Sequence, residues 1–189
     1  MKNRKRNRLQ GYDYAKNNLY FVTICVQDRN CCFGNVGTGR DLSLHDDCGE
    51  TLRGNKNHNP SIQLPHENKM ILNEYGTIAH GRLEWLEKQY EYVLLHSFIV
   101  MPNHVHAIIE IDSNLIGNKE FKIKSISELV GAYKTTSSKL IHLSGFDNFS
   151  WQRSFHDHII RNEKSYATIS NYIDTNADRW NTDTFFENI

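Results

Sequence analysis

The chain has 189 residues, enough for one domain of ordinary size with a sizeable core. Its 22 basic and 22 acidic residues cancel, so overall charge by itself does not mark a nucleic-acid binder. No apolar run approaches the roughly 18 residues a membrane span needs, and no secretory apolar core follows the basic start. A cytoplasmic protein with no membrane partner is expected. Cys25, Cys31, Cys32 and Cys48 fit free thiols in a reducing compartment. Cys31 and Cys32 are adjacent and give no Cys-x-x-Cys zinc spacing.

Local charge is less even than the total. Residues 1–18 form a basic arm, with Arg4, Lys5, Arg6 and Arg8 as expected contacts to a DNA backbone. Residues 19–180 read as one domain. Leu19 to Val26 is β-branched and aromatic, the pattern of a buried strand. Phe33 to Val36 starts an edge strand, and Met70 to Leu72 can pair back with it. Between them, about residues 37–69, lies a polar loop insertion rich in Gly, Asn, Asp and His. Asn73 to Gln89 has helical periodicity, with Ile78, Ala79, Leu83 and Leu86 on one face. Tyr92 to Val100 and His104 to Ile111 are strands joined by Met101-Pro102-Asn103, close enough to pair antiparallel.

Ser125-Ile126-Ser127-Glu128 is a capping box. The helix behind it should bury Ile126, Leu129, Val130, Tyr133, Leu140 and Ile141. Its other face carries Lys134, Thr135, Thr136, Ser137, Ser138 and Lys139, a mixture suited to nucleic-acid phosphates, so Lys134 and Lys139 join the DNA-contact candidates. Phe155 to Ile160 is a further strand. Asn162 caps a last helix, Glu163 to Arg179, with Tyr166, Ile169 and Ile173 as its buried stripe and Tyr172 and Asn176 one turn apart beside it. Residues 181–189 read as a C-terminal tail in which Phe185-Phe186 can dock.

Without the insertion and the last helix the order is βαββαβ. That is an α+β, ferredoxin-like arrangement: an antiparallel sheet with helices on one face, here with an added C-terminal tyrosine-bearing helix. The other sheet face is left for a site. His104 and His106, two apart on a strand, emerge on that face together. Such a pair suits a metal or a phosphate, although two solvated histidines have the same spacing. His156-Asp157-His158 repeats the pattern on the last strand.

Met101-Pro102-Asn103-His104-Val105-His106 resembles the His-hydrophobic-His (HUH) signature of single-strand DNA nucleases. With Tyr172-Ile173-Asp174-Thr175-Asn176 on a late helix, the chain resembles the single-tyrosine HUH transposases of the IS200-like superfamily, and within them the REP-associated tyrosine transposase branch. The resemblance covers most of the chain, the polar insertion excepted. The branch often has Asn-Pro where this chain has Asn176-Ala177.

The resemblance implies metal-dependent cleavage and rejoining of single-stranded DNA beside hairpins through a 5′-phosphotyrosine, without ATP. It implies Tyr172 as nucleophile, and His104, His106 and Asn176 as ligands of Mg²⁺, with Mn²⁺ able to substitute. His156 and His158 would face DNA or stand behind the ligands. Hairpin-bearing single-stranded DNA is the implied partner and the nucleoid the implied location. Some relatives act as dimers and others as monomers; a homodimer is the expectation here. The alternative is a domesticated hairpin-binding protein with little or no cleavage.

Overall fold

Alternating side chains on two neighbouring strands decide the architecture. The structure, a computed structural model, describes residues 11–38, 68–117 and 122–186. In β1 (Asn18–Cys25) the residues Tyr20, Val22 and Ile24 point to one side. β5 (His104–Ile111) sends Val105, Ala107, Ile109 and Ile111 to the same side. Phe21 pairs with Ile108, Thr23 with His106 and Cys25 with His104, so these residues line the opposite face.

Two strands complete the sheet, β4 (Val93–Val100) beside β5 and β6 (His156–Ile160) beside β1. The order β4-β5-β1-β6 is antiparallel throughout and is the ferredoxin-like arrangement. β2 (Gly34–Thr38) and β3 (Asn68–Leu72) form the expected hairpin, with Val36 opposite Met70, but as a two-stranded sheet of its own rather than an edge of the main sheet. Residues 39–67 of the insertion lie outside the described residues, as do Arg4, Lys5, Arg6 and Arg8 of the arm.

Helices α1 (Glu74–Gln89) and α2 (Ile126–Leu143) cover the apolar face and pack on each other. The Asn73 side chain accepts from Gly76 N at the start of α1. The capping box of α2 is complete, with Ser125 Oγ accepting from Glu128 N and Glu128 Oε2 from Ser125 N. The buried stripe of α2 differs from the expected one at two positions. Leu140 is 37% exposed, whereas Ser137 is buried and accepts a hydrogen bond from Trp151 Nε1. The Ser137 hydroxyl also donates to Tyr133 O, so the helix backbone satisfies it and a polar side chain can face inward.

The third helix, α3 (Glu163–Asp174), lies on the opposite face, capped by Asn162 as expected. It ends sooner than Arg179. Thr175 at φ −99°, ψ 9° interrupts the α-ladder, and a 3-10 segment, Ala177–Thr182, turns Trp180 into a buried position. A small apolar cluster of Ile108, Ile160 and Ile173, flanked by Phe21, Ile99 and Ile169, holds α3 to the sheet.

Gly76 marks a close approach between the start of α1 and the residue just ahead of β2, since a Cβ there would stand 2.1 Å from Phe33 O. Gly81, mid-helix, has open space around it. Gly76→Ala should therefore destabilise the protein by about 1–3 kcal/mol through overpacking. Gly81→Ala should stabilise it by about 0.5–1 kcal/mol through helix propensity. Urea unfolding of the two variants beside the parent checks both signs.

Candidate active site

His104 and His106 rise from the middle of the sheet with 0% and 1% exposure. Each ring is oriented through its Nδ1. His104 Nδ1 lies 2.8 Å from Asn103 Oδ1, and His106 Nδ1 lies 2.9 Å from Thr23 Oγ1. An amide oxygen can only accept, so His104 carries its proton on Nδ1 and keeps the Nε2 lone pair free. Asn103 is itself clamped, its Nδ2 donating to Arg29 O and to Phe185 O. The Phe21 ring stacks on His106 at 5.3 Å between centroids.

The two Nε2 atoms face each other at 3.0 Å. Two donors at right angles, each about 2.1 Å from one cation, would be about 3.0 Å apart. Burial drives the His104 pKa well below its ordinary value, with His106 and Arg29 adding to the effect. Burial lowers His106 to about 4, against the opposing pull of Asp183. Both rings are neutral at pH 7, as metal ligands must be.

Tyr172 and Asn176 stand one turn apart on and just beyond α3, as read from the sequence. Tyr172 Oη lies 3.3 Å from His106 Nε2. Asn176 is fully buried; its Nδ2 donates to Asp183 Oδ2 at 3.1 Å, while its Oδ1 is buried without a hydrogen-bond partner. An orphaned acceptor of this kind costs free energy unless something meets it. Tyr172 Oη also lies 3.4 Å from Asp183 Oδ2. Burial first, then the Asp183 charge, raises the Tyr172 phenol above its usual pKa.

Asp183 was not visible as a site residue in the sequence. Among the described residues it joins His104 and His106 in a group whose ligand atoms lie within 4.8 Å of one another and can hold a metal ion. Two imidazoles, a carboxylate and an orphaned amide oxygen fit a divalent cation of the Mn²⁺ or Mg²⁺ kind. No motif marked Asp183, because it follows a chain reversal rather than a helical or strand period.

The segment expected to be a tail also covers the histidines. The Phe185 ring lies 4.6 Å from that of His104, and the Arg29 guanidinium sits over the Phe185 ring, 5.1 Å from its centroid. Arg29 Nη1 donates to Thr184 O, and Phe186 packs edge-on against Trp180. Phe185 thus docks on the site itself.

The remaining candidates lie elsewhere. His156 and His158 emerge on the histidine face, opposite Thr23 and Phe21 respectively, and both are exposed. Two strand spacings separate His156 from His106, about 10 Å, too far to share a ligand shell. Lys134 is used internally: its ammonium donates to Gln152 O and Ser154 O and sits over the Phe155 ring, and burial lowers its pKa to about 8. This differs from the solvent-facing DNA contact expected from the sequence. Lys139 is exposed. Cys25, Cys31 and Cys32 are not in disulfide bonds. No helix among the described residues is long and apolar enough to cross a membrane.

The Phe185 cover predicts a chemical difference. Replacing Phe185 by Ala should accelerate carbethoxylation of His104 by diethyl pyrocarbonate, followed by peptide mass spectrometry, while solvent-exposed His156 should react at an unchanged rate.

A family model described as "Transposase IS200 like" matches residues 66–176, which is more than half of the chain and includes both histidines, Tyr172 and Asn176. An uncharacterized protein of Haemophilus influenzae is 27% identical over 198 aligned residues, covering 97% of this chain and 93% of that protein. Among solved structures, a REP-associated tyrosine transposase bound to a REP hairpin matches with a TM-score of 0.51 and 17% identity, over 91% of this chain and 73% of that one. That likeness establishes a common fold. The extent of the family match establishes more: the chain belongs to the IS200-like transposases.

Proposed function

We propose that this transposase cleaves and rejoins single-stranded DNA beside DNA hairpins, with Tyr172 as the nucleophile. The carrying observation is the placement of the Tyr172 hydroxyl 3.3 Å from His106 Nε2, next to a second imidazole nitrogen a further 3.0 Å away. His104, His106, Asn176 and Asp183 would hold a divalent cation, Mg²⁺ in the cell with Mn²⁺ able to substitute. When bound, the cation supplies Lewis-acid polarisation of the scissile phosphate.

Tyr172 Oη attacks phosphorus, and the bond from phosphorus to the 3′ oxygen breaks. The products are a 5′-phosphotyrosine and a free 3′-OH. The phenol must lose its proton, and its hydroxyl donates to Asp183 Oδ2 at 3.4 Å, a carboxylate placed to take it. The 3′ oxygen leaves with a proton. One phosphoester replaces another, so a later 3′-OH can reverse the step and join strands without ATP. The histidines and the tyrosine of one chain meet at 3.3 Å, and a homodimer is the proposed assembly. Arg4, Lys5, Arg6, Arg8 and Lys139 would contact the DNA backbone, and His156 and His158 border the site on the same sheet face. The hairpin in the matched transposase structure supports the choice of DNA form.

The Asp183 and Phe185 cover favours a second reading, a hairpin-binding protein with little or no cleavage. A denaturing gel separates the two. The full chain is mixed with Mn²⁺ and end-labelled hairpin oligonucleotides from DNA flanking its gene. We expect a labelled protein band that disappears in Tyr172→Phe and His104→Ala. A band that survives Tyr172→Phe would identify a different nucleophile. A hairpin-specific shift on a native gel with no covalent band would support the second reading.

The Thr23 contact gives a separate test of the metal site. Thr23→Val keeps the side-chain shape and removes the hydroxyl that orients His106. It should weaken Mn²⁺ binding about tenfold in calorimetric titration, the usual cost of losing a group that orients a ligand.

A further inference from the structure

Strands β4 and β5 fall out of step at one place. Leu95 pairs with Ile109 and Phe98 with Ala107, so three steps on β4 match two on β5. Leu95 and Phe98 both pack against the helix-covered core. A regular strand would send His96 and Ser97 to opposite faces. The bulge turns both toward α3 instead. His96 Nδ1 lies 3.1 Å from Tyr166 Oη, and His96 Nε2 lies 2.7 Å from Glu110 Oε2. Ser97 Oγ and Ser170 Oγ are hydrogen-bonded to each other.

Tyr166 and Ser170 are one turn apart on α3, on the stripe that continues to Ile173. The helix needs such anchors, because Ile173 is its sole buried residue. Tyr166, Ile169 and Tyr172 add only partly buried packing, and such shallow apolar contact leaves a helix free to slide or tilt. Two polar contacts spaced one turn apart fix both its depth and its rotation.

We propose that the β4 bulge positions the tyrosine helix: His96, steadied by Glu110, and Ser97 grip Tyr166 and Ser170, and so hold the Tyr172 hydroxyl against His106. His96, Ser97, Tyr166 and Ser170 are positioning residues; none touches the reacting atoms. Ser170 is about 3 Å of helix rise from Tyr172, so movement at the grip passes to the hydroxyl with little attenuation. The inference rests on Tyr172 acting as the nucleophile.

The test uses the full chain with Mn²⁺ and a cleavable hairpin oligonucleotide. Tyr166→Phe and Ser170→Ala should each lower kcat for covalent attachment about tenfold, since misplacement of a reacting group by about 1 Å can cost up to a hundredfold. KM should be unchanged. Ser97→Ala combined with Ser170→Ala should be no slower than either alone, because both remove one bond. Tyr166→Phe combined with Ser170→Ala should be slower than either. Ser170→Thr, which keeps the hydroxyl, should restore the rate.

Hydrogen exchange supplies a readout that needs no catalysis. The α3 amides should exchange about tenfold faster in Tyr166→Phe and Ser170→Ala, with β1 and β5 unaffected. Unchanged α3 exchange, or an unchanged kcat in an active protein, would overturn the proposal. If the parent forms no covalent product, the strand-transfer reading fails, and the exchange result alone still decides whether the bulge grips the helix.

Discussion

Two imidazole nitrogens held 3.0 Å apart in a dry part of the sheet are the constraint on which the rest of the site depends. Burial removes the charge from both rings, and neighbouring groups then fix where each ring points. The cost of burying their polar edges is met by Asn103 and Thr23. Thr23 belongs to β1 and the histidines to β5, so the β1–β5 register sets ring orientation as well as backbone pairing. A slip of one residue would send the imidazoles into the apolar core and Val105 out of it.

The two faces of the sheet are built to different standards. The face under α1 and α2 carries a large apolar cluster of fully buried side chains. The face under α3 has a smaller apolar cluster, with Ile108, Ile160 and Ile173 as its buried members, and supplements it with hydrogen bonds and ring contacts. Stability therefore resides chiefly on one side and chemistry on the other. The weakly embedded side is also the one that single-stranded DNA would have to reach.

Much of this was legible because it follows short periods. Alternation placed His104 and His106 on one face, and the turn spacing of α3 brought Tyr172 and Asn176 together. Ser125-Glu128 and Asn162 announced their helices through capping chemistry that needs no tertiary information. What the sequence hid breaks a period or joins distant segments. A single extra residue in β4 brings His96 and Ser97 to the same side, and no local pattern marks a bulge. Asp183 and Phe185 return to the site only because the chain leaves the α-helix at Thr175 and turns through a 3-10 segment. Lys134 looked like a free cation on a polar face, yet two carbonyls of the loop ahead of β6 are within its reach. Ser137 looked polar and exposed, although its hydroxyl is satisfied within its own helix.

Asn103 has a consequence for the chemical ageing of the protein. Its amide is fully committed, with nitrogen toward the carbonyls of Arg29 and Phe185 and oxygen toward His104. Hydrolysis of the side-chain amide to Asp would change almost nothing in shape. It would exchange a two-proton donor for an acceptor facing two carbonyl oxygens, while placing a negative charge beside the His104 ring. One hydrolytic event on one side chain would thus loosen the Arg29 loop and the C-terminal segment together and make the imidazole more basic. The clamp that orients the site thus ties the integrity of two separate segments to one side-chain amide.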